Sequence, residues 1–212
     1  MTIERFQNVL VLAPHTDDGE FGCGGTMARL IESGVKVTYA AFSTAAKSVP
    51  EGFPKDVLKH EVRAATGVLG IKPDDLKVYD FEVRTFPTVR QDILEEMIVL
   101  QRELDPDCVL MPALIDLHQD HKTVAEEGLR AFKRTTVLAY EIPWNNLNFS
   151  QQAYVRLDER HIEKKVEALQ CYASQGHRNY LNEDYIRNVA LTRGINIGCD
   201  FAEVFEVYRW IM

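Results

Sequence analysis

Five short apolar runs, the first four each followed by a segment with helical spacing, constrain this chain more than any other feature. The runs lie at 6–13, 35–42, 76–79, 108–111 and 136–141. The first and fourth are nearly unbroken stretches of Val, Leu and Ala or Cys, Val, Leu and Met, which fit strands buried on both faces rather than on one. Between them, 26–32 reads as a helix ended by Gly34, 55–69 as a helix ended by Gly70, 89–104 as an amphipathic helix before Asp105 and Pro106, and 121–132 as a fourth helix. Strand and helix in alternation predict an α/β fold, an open, mostly parallel sheet with helices on both faces. The remainder reads as a strand at 154–157, helices at 159–173 and 183–193, and a closing strand at 201–208. No linker, repeat or low-complexity tract interrupts the 212 residues, so one domain over 1–212 is the expectation.

Bulk composition narrows the classes of function. The chain is 46% hydrophobic and 26% charged, with a formal net charge of -8, which predicts a soluble globular protein and no general nucleic-acid binding. No apolar run approaches the roughly 20 residues of a membrane span, and the N-terminus lacks a basic region followed by an apolar secretory stretch. Cys23, Cys108, Cys171 and Cys199 are scattered and form no CxxC pair. Reduced thiols and a cytoplasmic location follow as expectations. Homo-oligomerisation stays open, because a surface patch and a core face read alike in sequence.

The first apolar run ends in Pro14-His15-Thr16-Asp17-Asp18-Gly19-Glu20-Phe21-Gly22-Cys23-Gly24-Gly25. Ligands of open α/β sheets gather beyond the carboxyl ends of the strands, which is where His15, Asp17 and Asp18 fall. Read alone, the stretch also suits a polar turn capping a helix. A dinucleotide loop is disfavoured, because the glycine order is not GxGxxG and carboxylates would repel a pyrophosphate. A second cluster, His118-Gln119-Asp120-His121, follows the fourth run. Three of the six histidines therefore sit in two loops at one sheet edge. Imidazole and carboxylate donors suit zinc, so two such clusters predict a metal site. Asp17 and Asp18, as neighbours, point in different directions; one can hold the metal while the other faces water, the division a hydrolase needs.

At these residues the chain resembles the LmbE/PIG-L family of zinc-dependent N-acetylglucosamine deacetylases. Residues 13–20 resemble its PHPDDE signature with the glycines behind it, and His118 to His121 its HxDH. Glu61, Asp105-Pro106-Asp107, Tyr172-Ala173-Ser174-Gln175 and Ala202-Glu203-Val204-Phe205 extend the likeness along the chain. The resemblance implies a Rossmann-like fold, Zn2+ held by His15, Asp18 and His121, Asp17 as general base, His118 as the electrophilic or general-acid histidine, and Asp120 orienting a histidine. It implies removal of acetyl from an N-acetylated amino sugar or its conjugate. Other expectations are an amidase on a non-sugar acylated amine or thiol conjugate and, from other classes, a metal-dependent phosphoesterase or a non-catalytic sugar-binding protein.

Three positions depart from that pattern. Thr16 stands for the usual proline, Gly19 and Glu20 shift the glutamate by one place, and Leu58 stands where an arginine commonly helps hold the sugar. Lys55, Lys59 or Arg84 are the expected replacements. Arg84 and Trp144, each after a strand, are the expected substrate contacts, with Trp144 either stacking on a sugar or anchoring its loop. His60 is expected in solvent or in a structural role on a helix, and His177-Arg178-Asn179-Tyr180 in a polar loop, either an ordinary surface loop or one lining a substrate mouth.

Overall fold

The computed structural model describes residues 3–212. Seven strands form one sheet: β1 (Asn8–His15), β2 (Lys36–Ser43), β3 (Leu76–Val78), β4 (Cys108–Pro112), β5 (Thr136–Tyr140), β6 (Ala153–Leu157) and β7 (Phe201–Arg209). Their order is β3-β2-β1-β4-β5-β7-β6. The first five run parallel; β7 is antiparallel to β5, and β6 to β7. Six helices cover the sheet: α1 (Asp18–Glu32), α2 (Val57–Leu69), α3 (Arg90–Leu104), α4 (Gln119–Ala131), α5 (Glu159–Gln170) and α6 (Glu183–Ile195).

The alternation of side chains along β1 divides the core. Val9, Val11 and Ala13 pack with α1, α2 and α5 on one face, whereas Leu10 and Leu12 pack with α3 and α4 on the other. Both faces of β1 are covered, which is why it reads as an unbroken apolar run. Strand order reverses between β1 and β4, since β2 and β3 lie to one side and β5 to the other. The crevice at such a switch point, beyond the carboxyl ends of the strands, is the usual ligand position. His15 closes β1, and the loop after β4 carries His118 and leads into α4 with His121 in its first turn.

The first helix corrects the sequence reading. It starts at Asp18, not 26, and runs through the glycines with a kink at Cys23 (φ −148°, ψ 27°). Gly22 lets this helix lie close against β5: a Cβ there would stand 2.2 Å from the Tyr140 ring. Backbone groups freed by the kink find partners across the fold. Glu203 on β7 accepts from the Gly25 and Thr26 amides, and the Lys165 ammonium donates to the Phe21 carbonyl and to Glu203. The fourth helix also starts earlier than 121, at Gln119, with His118 as N-cap accepting from the Asp120 amide. The fifth ends at Gln170 rather than 173, and a 3-10 turn (Ala173–Gln175) follows it. No helix among the described residues is long and apolar enough to cross a membrane.

Candidate metal centre and substrate cavity

Three donor atoms, from the end of β1 and the first turns of α1 and α4, meet at the switch point. Asp18 Oδ2 lies 3.1 Å from His15 Nδ1 and 3.1 Å from His121 Nε2, and those two nitrogens are 3.3 Å apart. Around a tetrahedral ion with bonds of about 2.0–2.1 Å, ligand atoms sit about 3.3–3.4 Å from one another. The triangle therefore fits a metal of zinc's size with little adjustment, and its fourth side opens to the cavity. His15, His118 and His121 also offer ring nitrogens within 4.8 Å of one another, a cluster that could bind a metal.

Each histidine of the triangle has its other nitrogen tied to a carboxylate. His15 Nε2 lies 3.0 Å from Asp120 Oδ2, and His121 Nδ1 lies 2.8 Å from Asp116 Oδ2. Such a partner sets the tautomer and would turn the remaining nitrogen toward a bound ion. Asp120 is fixed in turn by the amides of Arg84 (2.6 Å) and Phe86 (3.3 Å). Asp116 also accepts from the His118 amide at 2.8 Å.

The local field favours positive charge. Burial pulls His15 down, but Asp18 and the hydrogen bonds to Asp120 and Asp18 outweigh it and raise it to about 8. Burial likewise opposes the charge on His121, and Asp18 and Asp116 raise it to about 10. Asp18 is held well below the usual carboxylate range: burial opposes its charge, but His121 and His15 outweigh that effect. The carboxylates that draw protons to these imidazoles would hold a divalent cation by the same attraction.

Asp17 and His118 complete the floor. Asp17 is the N-cap residue of α1; burial, and then the charge of Asp18, push its carboxyl up to about 6. His118 is pulled down to about 4, by burial and then by the charges of His15 and His121. Its Nδ1 accepts from the Asp120 amide at 3.2 Å, so a neutral His118 carries its proton on Nε2.

A cavity of about 330 Å3 opens above this floor, lined by Asp17, Asp18, His15, His118 and His121 together with Leu58, Arg84 and Trp144. All eight were singled out in the sequence; Asp120 acts from behind His15. Lys55 and Lys59 are not among the lining residues, so neither takes the place of Leu58. Trp144 both anchors and lines: its ring stacks on Tyr180 (4.2 Å, 9°) and meets Phe21 edge-on (5.1 Å). His60 and His177 are exposed and lie off the cavity. Asp116 and Phe21 were not singled out in the sequence; of the 177–180 loop, Arg178 and Tyr180 line the cavity and His177 does not, and Gln175, from the 172–175 likeness, lines it as well. Asp116 is a carboxylate two residues before His118 and was open to discovery on that spacing. The 177–180 loop is aperiodic, so the sequence leaves it open between a surface loop and the lining of a substrate mouth.

The family described as PIG-L, GlcNAc-PI de-N-acetylase, matches residues 10–132. The diacetylchitobiose deacetylase of Thermococcus kodakarensis is 26% identical over 223 residues, covering 93% of this chain and 81% of that protein. Among solved structures, the conserved protein TT1542 of Thermus thermophilus superposes with a TM-score of 0.82 at 24% identity, covering 97% of this chain and 96% of the other. GalB of Pseudomonas putida KT2440, a 4-carboxy-2-hydroxymuconate hydratase, superposes with a TM-score of 0.78 at 21% identity over 97% of this chain and 98% of its own. The fold thus also carries a different reaction, and fold alone does not name one.

Proposed function

The chain belongs to the PIG-L family and is an amide-hydrolysing deacetylase; from that premise we propose that it removes acetyl from an N-acetylated amino sugar, or a conjugate of one, and that its metal is zinc. The observation that carries this reading is the 3.1–3.3 Å triangle of His15 Nδ1, Asp18 Oδ2 and His121 Nε2. Two imidazoles and one carboxylate with a fourth side open is the donor set of a catalytic zinc site. When bound, zinc supplies Lewis acidity toward the acetyl carbonyl and lowers the pKa of water.

The remaining roles belong to side chains. Asp17 takes a proton from the water whose oxygen attacks the acetamide carbon. His118, protonated on Nε2, donates a hydrogen bond to the oxygen as it gains negative charge. The C–N bond then breaks, and the amine leaves with the proton taken up by Asp17. Asp120 and Asp116 hold the rings of His15 and His121. Phe21, Trp144 and Tyr180 offer aromatic surface to the apolar face of a sugar. We also place the protein in the cytoplasm, a reading supported by four cysteines that are all free thiols.

Acetate release from a panel of N-acetylated sugars and conjugates tests this, using zinc-loaded protein and its Asp17→Asn variant. The expected result is turnover of at least one panel member and a loss of about 10²–10⁴-fold in the variant with zinc still bound. Full activity in the variant removes Asp17 from the mechanism. A zinc-loaded protein that releases no acetate from any member ends the sugar assignment.

A further inference from the structure

Arg178 reaches the cavity from the loop between α5 and α6, and its guanidinium is held in place before any ligand arrives. Its Nε donates to Gln175 Oε1 at 2.7 Å, Nη1 donates to the Tyr180 hydroxyl, and the group lies 5.6 Å from the Tyr180 ring centroid. Gln175 is buried and donates to Ser174 Oγ at 3.2 Å. Ser174 donates through its hydroxyl (2.6 Å) and its amide (2.8 Å) to Glu61, a buried carboxylate on α2. A line of hydrogen bonds thus runs from α2 to the cavity wall. Fixing a long side chain during folding removes that ordering cost from binding.

Among the described residues neither Arg178 nor Arg84, the other cation lining the cavity, forms an ion pair, whereas Lys47 pairs with Glu82 and Arg193 with Glu141. Arg84 is steadied by Ser48 Oγ at 3.2 Å. A planar guanidinium with free N–H groups matches paired oxygens of a carboxylate or phosphate. The hydroxyls of a neutral sugar accept from such N–H groups too, but only an anion also uses the charge.

We propose that Arg178, assisted by Arg84, binds an anionic group on the substrate, so that the preferred substrates are N-acetylated amino sugars bearing a carboxylate or a phosphate. This rests on the deacetylase reading above. Arg178 is also close enough to Asp17 to favour its charged form, so the test has to separate an anchoring role from an influence on the base.

The experiment measures kcat and KM for N-acetylglucosamine, N-acetylglucosamine 1-phosphate and N-acetylmuramic acid with the zinc-loaded protein, Arg178→Gln and Arg178→Lys. The expected result is a kcat/KM about 10–100-fold higher for at least one anionic sugar than for the neutral one, carried mainly by KM. Arg178→Gln brings that ratio close to one, and Arg178→Lys leaves it intermediate. Which anionic sugar is favoured tells phosphate from carboxylate. A wild-type ratio near one overturns the proposal, as does an equal fall in kcat for all three sugars with the ratio kept, the signature of an effect through Asp17. Calorimetry with glucosamine 1-phosphate and glucosamine is read independently of turnover. Tighter binding of the phosphate by the same factor, lost in Arg178→Gln, supports the anion site even where no acetamide is cleaved and the deacetylase reading falls. Equal or absent binding of both overturns the site.

Discussion

The phenol of Tyr39 occupies the space that a side chain at residue 19 would need: a Cβ on Gly19 would stand 2.4 Å from Tyr39 Cε2. The Tyr39 hydroxyl also accepts from the Gly19 amide at 3.1 Å, so β2 grips the turn between Asp18 and Glu20 at close range. Gly19→Ala should force the turn off Tyr39 and cost about 1–3 kcal/mol, with activity lost as Asp17 and Asp18 shift. Tyr39→Ala should itself destabilise by removing a buried ring, yet relieve the clash. Urea denaturation of both single variants and the double variant checks this. The expected sum is clearly less than additive; strict additivity would mean that the two positions do not share the space.

Glu20 lies behind the same turn, fully buried, with Tyr39 and Tyr172 hydroxyls on its two oxygens and both tyrosines also on the Thr16 carbonyl. Four O···O contacts share two phenolic protons, and a protonated carboxyl supplies a third. Burial accordingly raises Glu20 to about 8, against the lowering effect of its hydrogen bonds. Between its ordinary pKa of 4.5 and about 8 the folded chain keeps a proton on Glu20 that the unfolded chain releases. Stability from this group is therefore complete at the acid end and falls as pH rises, with a limiting slope of about 1.4 kcal/mol per pH unit. Glu20→Gln stays neutral throughout. The difference in unfolding free energy between wild type and Glu20→Gln should move toward the variant from about pH 5 to about pH 8; a flat difference refutes the neutral carboxyl.

Much of this architecture is legible in the sequence, for identifiable reasons. Parallel strands buried on both faces appear as continuous apolar runs, so β1, β2, β4 and β5 could be placed from residue type alone. His15, Asp17, Asp18, His118 and His121 could be placed at the sheet edge because each follows such a run. The path of α1 could not, because glycines normally argue against a helix; only the ring of Tyr140, distant in sequence, explains Gly22. The loop of Arg178 and Tyr180 could be read only as either surface or substrate mouth. It has no period, and only the return of the chain through α5 brings it over the strand ends.

Asp116 and Asp120 make a pair of equivalent tests at the metal. Each bonds the outward nitrogen of one histidine of the triangle, Asp116 at 2.8 Å and Asp120 at 3.0 Å. Neither lines the cavity on the open side of the site. Asp116→Asn and Asp120→Asn should each weaken zinc binding about 10–100-fold while the protein stays folded, because loss of such a partner frees the ring and lowers ligand basicity. Competition with a zinc chelator of known affinity measures this. Asp18→Ala should abolish tight binding in the same assay. Unchanged affinity in both asparagine variants would mean that the orientation of the rings is set elsewhere.

Lys165 and Glu203 test what the kink in α1 contributes. Both are buried, 2.6 Å apart, and each also holds backbone of α1: Lys165 the Phe21 carbonyl at 2.7 Å, Glu203 the amides of Gly25 and Thr26 at 3.0 and 2.7 Å. Lys165→Met leaves a carboxylate buried beside two amides but without its cation, and should cost about 3–5 kcal/mol. Glu203→Gln leaves a buried ammonium and should cost a similar amount. The double variant removes both charges together. It should therefore be more stable than the sum of the single losses predicts, by about 1 kcal/mol or more. Because α1 begins at Asp18, itself a corner of the metal triangle, zinc affinity should fall with the single variants and recover partly in the double. Single variants with normal zinc affinity would show that the first turn of α1 holds its position without the kink.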